Sequence, residues 1–298
     1  MFEGFEQSDI ETSGAVIRTL RGGDGPPLLL LHGNPLTHVS WHKVAPKLAE
    51  NFTVIATDLR GYGDSSKPDG GENSVNYSFR TMARDQVEVM SHFGFERFYV
   101  AGHDRGARVG HRMALDCPEK VVRLALLDIM PTYQLLADIP MGWAEESYHW
   151  FFMAQPFDFP EHFLSLDLDY YIRKKLNKKG VGLGPFTDEA MAEYVRCCTP
   201  ENIHAVCEDY RATLHVDFPM DEADFKSGKK IDCPLLVLWG ENSHVGRHSD
   251  PLAAWNQWVA DPDAVTYRPI PSGHYPAEQC PDLVLAAFDG FFPAGSLA

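Results

Sequence analysis

The chain has 298 residues, enough for one large α/β domain or two ordinary domains, and its hydrophobic fraction of 44% and charged fraction of 23% are typical of a folded globular protein. Its formal net charge of −16 argues against a general nucleic-acid or anionic-membrane binder, because both partners require a positively charged face. An anionic substrate must therefore be captured by a local basic pocket.

The N-terminal segment is acidic and lacks the pattern of a secretory signal, and no apolar run approaches the length of a membrane span. We therefore expect a cytoplasmic protein that binds neither nucleic acid nor membranes. No CxxC pair occurs, which predicts reduced thiols at Cys117, Cys197, Cys198, Cys207, Cys233 and Cys280.

The first predicted strand, at 26 to 33, runs into His32-Gly33-Asn34-Pro35, which is the position of an oxyanion-hole loop if a nucleophile lies on a turn after a later strand. Backbone N–H groups of Asn34 and Arg105 are candidates to hold an oxyanion, and the Asn34 amide could donate to a departing anion. A turn that only packs is the alternative. The second strand, at 52 to 61, precedes GYGDS, which lacks the third glycine of a dinucleotide fingerprint and is interpreted as a loop.

A helix is predicted at 77 to 94, followed by a strand at 98 to 104 that enters Gly102-His103-Asp104-Arg105-Gly106. This is the spacing of a nucleophile elbow, in which small residues let strand, turn and helix pack closely, with Asp104 as the nucleophile. A carboxylate is already ionised at neutral pH, so it can attack an sp3 carbon without a base. The ester that forms then requires an activated water.

Two arginines begin the next predicted helix. Arg105 and Arg108 are three residues apart and share a face, so they could clamp a substrate carboxylate. The alternative is that they pair with Asp104 or with other acids, the role we assign to Arg112. The following strand, at 122 to 131, carries Asp128 at its end.

From about residue 132 to 225 no strand is predicted, and helical stretches rich in Trp, Tyr and His indicate a cap over the carboxyl edge of the sheet. Surface helices without a binding role are the alternative. The expected organisation is a core domain of residues 1–131 and 226–298 with a helical cap of residues 132–225.

The last two strands are predicted at 234 to 241 and 265 to 274, before a final helix at 281 to 292. His274 follows the last strand and is the candidate base for the hydrolytic water. The WGxxD turn that often supplies the orienting acid lacks its Asp, so Asp128 is the candidate partner of His274, with Glu241 a weaker one. His244 and His248 lack the HExxH context of a zinc site, and we expect no metal.

Strands and helices alternate, which predicts an α/β fold with a mostly parallel, doubly wound sheet. The motifs HGNP, DLRGYGDSS, GHDRGAR, LLDIMPTY, YHW, CEDYRA and SGH make the chain similar, over nearly its whole length, to the fluoroacetate dehalogenases, α/β-hydrolases that cleave 2-haloacetates. The resemblance implies an α/β-hydrolase fold with an inserted helical cap.

The resemblance also implies the catalytic set Asp104, Asp128 and His274 and a carboxylate site at Arg105 and Arg108. It further implies halide donors at His149, Trp150 and Tyr210, no cofactor, and a homodimer. Taken alone, each of these three aromatic residues fits the core of the cap. Asn34 departs from the family, which usually has an aromatic residue there, and is similar to the asparagine of haloalkane dehalogenases. The halogen preference is therefore open between fluoride, chloride and bromide.

The expected reaction is hydrolytic dehalogenation of a small 2-haloacid to glycolate and halide. An epoxide hydrolase is the main alternative, because it shares the Asp and His but needs paired cap tyrosines, for which the candidates are Tyr148, Tyr170, Tyr171, Tyr194 and Tyr210. A catalytically silent binding module is the third, and the complete set of nucleophile, base and acid disfavours it.

Overall fold

The computed structural model describes residues 1–179, 181–295 and 297. The strands of its sheet are β1 (Glu6–Glu11), β2 (Val16–Gly22), β3 (Pro27–Leu31), β4 (Thr53–Thr57), β5 (Phe98–His103), β6 (Val121–Leu127), β7 (Leu235–Gly240) and β8 (Val265–Ile270). They lie in the order β1-β2-β4-β3-β5-β6-β7-β8. All pairs from β4 to β8 are parallel, and β1–β2 and β2–β4 are antiparallel.

The central strands are apolar without a break because both faces of the sheet are covered. Alternate residues of β3 show this: Leu29 and Leu31 belong to one buried cluster, whereas Leu28 and Leu30 belong to another on the opposite face. All four are fully buried. The predicted doubly wound arrangement is therefore present, and the six strands expected from their apolar runs all form.

The hairpin of β1 and β2 was not expected from the sequence. Its residues are mostly polar, and β1 lies at the edge of the sheet with only Ile10 buried. An edge strand with one covered face needs few apolar residues, which leaves a weak sequence pattern.

In the described ranges, three α-helices precede β6 and four follow β7. The first are α1 (Ala45–Leu48), α2 (Phe79–His92) and α3 (Arg105–Asp116). Between β6 and β7 lie eight more, which we call the inserted helices: α4 (Thr132–Ala137), α5 (Met141–Glu146), α6 (His149–Met153), α7 (Phe159–Leu164), α8 (Leu168–Leu176), α9 (Asp188–Cys197), α10 (Pro200–Ala212) and α11 (Phe218–Ser227). After β7 come α12 (His244–His248), α13 (Pro251–Trp255), α14 (Pro276–Gln279) and α15 (Pro281–Asp289).

The inserted helices occupy the stretch in which no strand was predicted, and a π-helical turn at Thr213–Asp217 links α10 to α11. The division into a core domain and a cap stays a prediction. Within the described part of the chain, none of the helices combines the length and the apolar character that a membrane crossing needs.

Candidate active site

Asp104 lies on a tight turn between β5 and α3. Its φ of 47° and ψ of −114° are unusual for a residue with a side chain. A Cβ on Gly102 would come within 2.4 Å of the Gly106 carbonyl oxygen, and a Cβ on Gly106 within 2.5 Å of the His32 carbonyl oxygen. The small residues on either side of Asp104 therefore have the steric reason that the elbow pattern predicts.

The Asp104 carboxylate is buried and charged. The backbone N–H of Asn34 donates to its Oδ2 atom over 3.0 Å. Burial by itself raises the pKa of Asp104, but the surrounding positive groups, Arg105 and Lys178 among them, together outweigh burial and hold this pKa well below its usual range. The side chain is thus available as an anionic nucleophile.

His274 and Asp128 form a buried pair beside Asp104. The His274 Nδ1 atom lies 2.6 Å from Asp128 Oδ2, and its Nε2 atom lies 4.0 Å from Asp104 Oδ1. Because Asp128 Oδ2 accepts from the Nδ1–H of His274, the lone pair of the neutral ring is at Nε2, on the side of Asp104. Burial and the charge of Lys178 lower the pKa of His274 well below its usual value, which favours the neutral ring.

Hydrogen bonds from the end of β7 and the loop after it hold Asp128 in place. Its Oδ1 atom accepts from the Gly240 N–H over 2.9 Å and from the Ser243 hydroxyl over 2.6 Å. Burial raises its pKa. Glu241, the weaker candidate for this role, is exposed to solvent. The geometry therefore favours Asp128 as the partner of His274.

Arg105 and Arg108 lie side by side against Trp150. Each guanidinium carbon is 4.7 Å from the centre of the Trp150 ring, and that of Arg105 is also 3.6 Å from the Tyr210 ring. The expectation that both arginines share a face agrees with this stacking. Arg112 instead pairs with acids, as expected, at Asp116, Asp221 and Asp224.

Neither Arg105 nor Arg108 has all of its donors occupied. Arg105 Nη1 donates to Thr213 Oγ1 over 2.6 Å and lies 3.4 Å from Asp209 Oδ1. Arg108 Nη1 donates to the Met130 carbonyl and to Thr132 Oγ1, both over 3.0 Å. Arg105 Nε, Arg105 Nη2 and Arg108 Nε are buried without a hydrogen-bond partner in the described ranges. Buried donors of this kind are costly unless a ligand meets them.

Both arginines stay charged at neutral pH. Burial lowers the pKa of Arg105, but Asp209, Tyr210, Tyr62 and Asp104 together outweigh burial and the pKa is raised overall. Burial and the neighbouring Arg105 lower the pKa of Arg108 to about 10. The pair is therefore a dicationic site with open donors beside an anionic nucleophile.

The three predicted halide residues meet around Tyr210. The Tyr210 ring centre is 5.6 Å from that of His149 and 5.7 Å from that of Trp150. The Asn34 side-chain amide donates to the Tyr210 hydroxyl over 2.9 Å. Burial raises the pKa of Tyr210 to about 12 and lowers that of His149. Tyr210 thus accepts from Asn34 and keeps its own proton to donate.

Several residues of the site were not predicted from the sequence. Asp209 accepts from Tyr62 over 2.5 Å and supports Arg105 together with Thr213. The position of Asp209 directly before Tyr210 is a local signal in the sequence, but Arg105, which it supports, lies about a hundred residues away. Lys175 and Lys178 act on His274 through their charges and were likewise not predicted.

His244 and His248 do not form a pair. The His244 ring centre lies 4.9 Å from that of His274, and His244, Asp128 and His274 hold their ligand atoms within 4.8 Å of one another. The Asp128 oxygens and His274 Nδ1 are already hydrogen bonded to one another or to protein donors, so these residues do not fit a metal ion. His248 instead lies 3.5 Å from Glu146.

The sequence and fold match known proteins. A family model for the α/β hydrolase fold matches residues 26–279. The chain is 42% identical to a fluoroacetate dehalogenase of a Burkholderia species over 95% of its length and 92% of that protein, and 35% identical to a soluble epoxide hydrolase of Corynebacterium sp. (strain C12) over 91% of each.

A solved α/β-hydrolase structure from Nostoc sp PCC 7120 superposes with a TM-score of 0.94 at 51% identity, covering 98% of this chain and 99% of that one. The predicted fold class is thereby confirmed, as is the resemblance to a fluoroacetate dehalogenase. The turn at Asp104 after β5, Asp128 after β6 and His274 after β8 all lie in the matched part of the chain, and the chain belongs to the α/β-hydrolase fold family.

Proposed function

We propose that the protein is a hydrolytic dehalogenase of small 2-haloacids, which converts chloroacetate or fluoroacetate to glycolate and halide. The observation that carries this proposal is the buried pair Arg105 and Arg108, whose open N–H donors lie beside an ionised Asp104. A carboxylate is the ligand that paired guanidinium groups bind best. The fluoroacetate dehalogenase relative supports the same substrate class.

The first step is displacement at carbon. The substrate carboxylate binds to Arg105 and Arg108, and one Asp104 oxygen attacks C2 as the C–halogen bond breaks. Because the Asn34 N–H holds Oδ2, we assign the attack to Oδ1. The electron pair leaves with the halide, and the product of this step is an ester between Asp104 and the two-carbon acid.

The departing halide needs hydrogen-bond donors. Fluoride needs them most, because it is strongly hydrated in water and loses that hydration in a buried site. Tyr210 O–H, the Trp150 indole N–H and the His149 ring are the candidates, and the Asn34 amide positions the Tyr210 hydroxyl. Preorganised donors in a buried site stabilise such developing charge without reorganising.

The second step hydrolyses the ester. His274 Nε2 removes a proton from water, and the hydroxide adds to the Asp104 carboxyl carbon, with the N–H groups of Asn34 and Arg105 as the oxyanion donors. The alkyl C–O oxygen then leaves as glycolate and takes the proton from His274. The regenerated Asp104 ionises and releases one proton, which balances the overall reaction of haloacid and water to glycolate, halide and a proton.

Epoxide hydrolysis is the second candidate, supported by the Corynebacterium relative. It requires two cap tyrosines that face the nucleophile. Tyr194 donates to Glu278 over 2.7 Å, and Tyr148 and Tyr170 are 66% and 64% exposed, which leaves Tyr210 and Tyr171. A neutral epoxide would leave the open donors of the arginine pair unmet, so we favour the haloacid.

One experiment separates the two. The protein is incubated with fluoroacetate, chloroacetate, bromoacetate and styrene oxide, and released halide and diol are measured, with Asp104→Asn as the inactive control. We expect halide from at least chloroacetate and bromoacetate and little diol. Diol formation without halide would favour the epoxide hydrolase. The halogen order, the homodimer, the cytoplasmic location and the lack of a cofactor stay predictions.

A further inference from the structure

The inserted helices line a cavity that opens to solvent and whose wall carries three lysines. It has a volume of about 500 Å³, and Lys174 and Lys175 of α8 and Lys178 just after it line one part of it. Aromatic and apolar side chains form much of the remainder, including Phe152 and Tyr171. In a chain with a net charge of −16, three lysines on one cavity wall are a local reversal of charge.

Lys175 is the unusual member of this set. Its Nζ atom is buried and has no hydrogen-bond partner within the described portion of the chain. Burial and the charge of Lys178 lower its pKa well below the usual value. A buried ammonium without a partner is costly, and an anion in the cavity would supply that partner and restore the charged form.

The cavity lies next to the candidate active site. His149 contributes to its wall, and Lys178, Glu146 and Tyr148 line both this cavity and a second one of about 250 Å³, whose wall includes His274. The charge of Lys178 lowers the pKa of His274, and that of Lys175 adds to the effect. An anion in the larger cavity would therefore be close to the catalytic residues.

Two acids also line the larger cavity, and both have partners. Glu146 pairs with Arg247 and lies 3.5 Å from His248 Nε2 and 3.9 Å from Lys179 Nζ. Asp167 accepts from the Tyr170 N–H at the start of α8. Glu146 is therefore shared among several cations, and its charge also acts on Lys178 together with those of Asp104 and Asp128.

We propose that Lys175 and Lys178 form an anion-binding site that receives the substrate carboxylate before it reaches Arg105 and Arg108. The proposal rests on the haloacid function proposed above. It gives the enzyme two successive cationic sites, an outer one of lysines that gathers anions and an inner one of arginines that orients them. A like-charged cleft of this kind raises the local substrate concentration and makes the association rate depend on ionic strength.

The test compares Lys175→Met and Lys178→Met with Lys226→Met, a control on α11 whose lysine is 66% exposed. With chloroacetate at about pH 7.5, where burial keeps the His274 ring neutral with or without the lysine charges, we expect each cavity variant to lower kcat/KM about tenfold through KM, with kcat nearly unchanged. In both cavity variants, kcat/KM should fall less steeply as salt is added. Lys178→Arg keeps the positive charge and should restore the salt dependence of the wild type. The control should match the wild type.

The proposal would be overturned if both cavity variants kept the salt dependence of the wild type. It would also be overturned if kcat fell as much as kcat/KM, because that result indicates a structural role. Acetate binding, measured by calorimetry at low and high salt, keeps the two proposals separable. If the wild type released no halide, the haloacid function would be wrong. The lysine site would still be supported if Lys175→Met and Lys178→Met weakened acetate binding while Lys226→Met did not. Unchanged acetate binding would remove the site itself.

Discussion

The two walls of the active site differ in how their polar groups are satisfied. On the core wall, Asp104, Asp128 and His274 are held by hydrogen bonds from the ends of neighbouring strands. On the facing wall, where Arg105 and Arg108 stack on Trp150, several buried donors have no partner in the parts of the chain that the structure describes. Under the proposed haloacid function, the core wall is organised before substrate arrives, and the substrate carboxylate completes the facing wall.

Under the proposed function, reaction and substrate recognition therefore depend on different elements of the fold. The core wall follows from the order of the strands, since β5, β6 and β8 all end at one edge of the sheet. The facing wall depends on contacts between α3 and the inserted helices, such as Arg105 with Thr213. Changes to the first should therefore remove chemistry, and changes to the second should alter which substrates are accepted.

The largest effect is expected at Asp104. Asp104→Asn removes the anionic nucleophile and should lower kcat for chloroacetate by about 10⁴-fold or more. Halide release measured over several hours is the assay, and circular dichroism checks that the variant folds. Substantial residual turnover would mean that another group attacks carbon.

The next largest effect is expected at the arginine pair. Arg108→Leu removes one of two buried partners of the substrate carboxylate and should reduce kcat/KM for haloacetate by about 10²- to 10³-fold. Arg108→Lys should recover part of the loss, since it keeps charge but not the planar donors. Arg80→Leu, at an arginine 54% exposed, is the matched control. A haloacetate kcat/KM unchanged by Arg108→Leu would remove the carboxylate site.

A smaller effect is expected at the halide donors. Tyr210→Phe should lower kcat about tenfold for chloroacetate and further for fluoroacetate, because the poorer leaving group depends more on its donors. Asn34→Ala should weaken the same function by freeing the Tyr210 hydroxyl. The double variant should lose less than the sum of the single losses in free energy. Additive losses would show that Asn34 and Tyr210 act separately.

The smallest effect is expected in the pH profile. Burial and Lys178 lower the pKa of His274, so the ring should stay neutral, and the enzyme active, as pH falls past the ordinary histidine value of about 6.5. Asp104, His103, Lys175 and His244 also face or influence this ring. The acid limb of kcat for chloroacetate reports the bound enzyme states, including the ester that His274 hydrolyses. A midpoint above 6.5 would contradict the lowered pKa.

Much of the core wall could be predicted from sequence because its signals are local. Apolar runs give the strands, small residues around Asp104 give the turn, and parallel strands bring Asp104, Asp128 and His274 to one edge. The hairpin of β1 and β2 was not predicted, because a strand at an exposed edge of the sheet has few buried apolar residues to reveal it.

The facing wall was harder to predict because its contacts join distant parts of the chain. Asp209 and Thr213 support Arg105 across about a hundred residues, and no spacing rule links them. Lys175 lies on a helix rich in charge, where a lysine ordinarily faces solvent. Only the fold shows that its ammonium is buried.

The central claim is that Asp104 forms an ester with the substrate and that His274 releases it. His274→Asn keeps the nucleophile and removes the base, so incubation with chloroacetate, digestion and mass spectrometry test both parts together. The account predicts one halide released per active site and a carboxymethyl group on the peptide that contains Asp104. Sustained halide release without that modification, or the same group on a different residue, would contradict it.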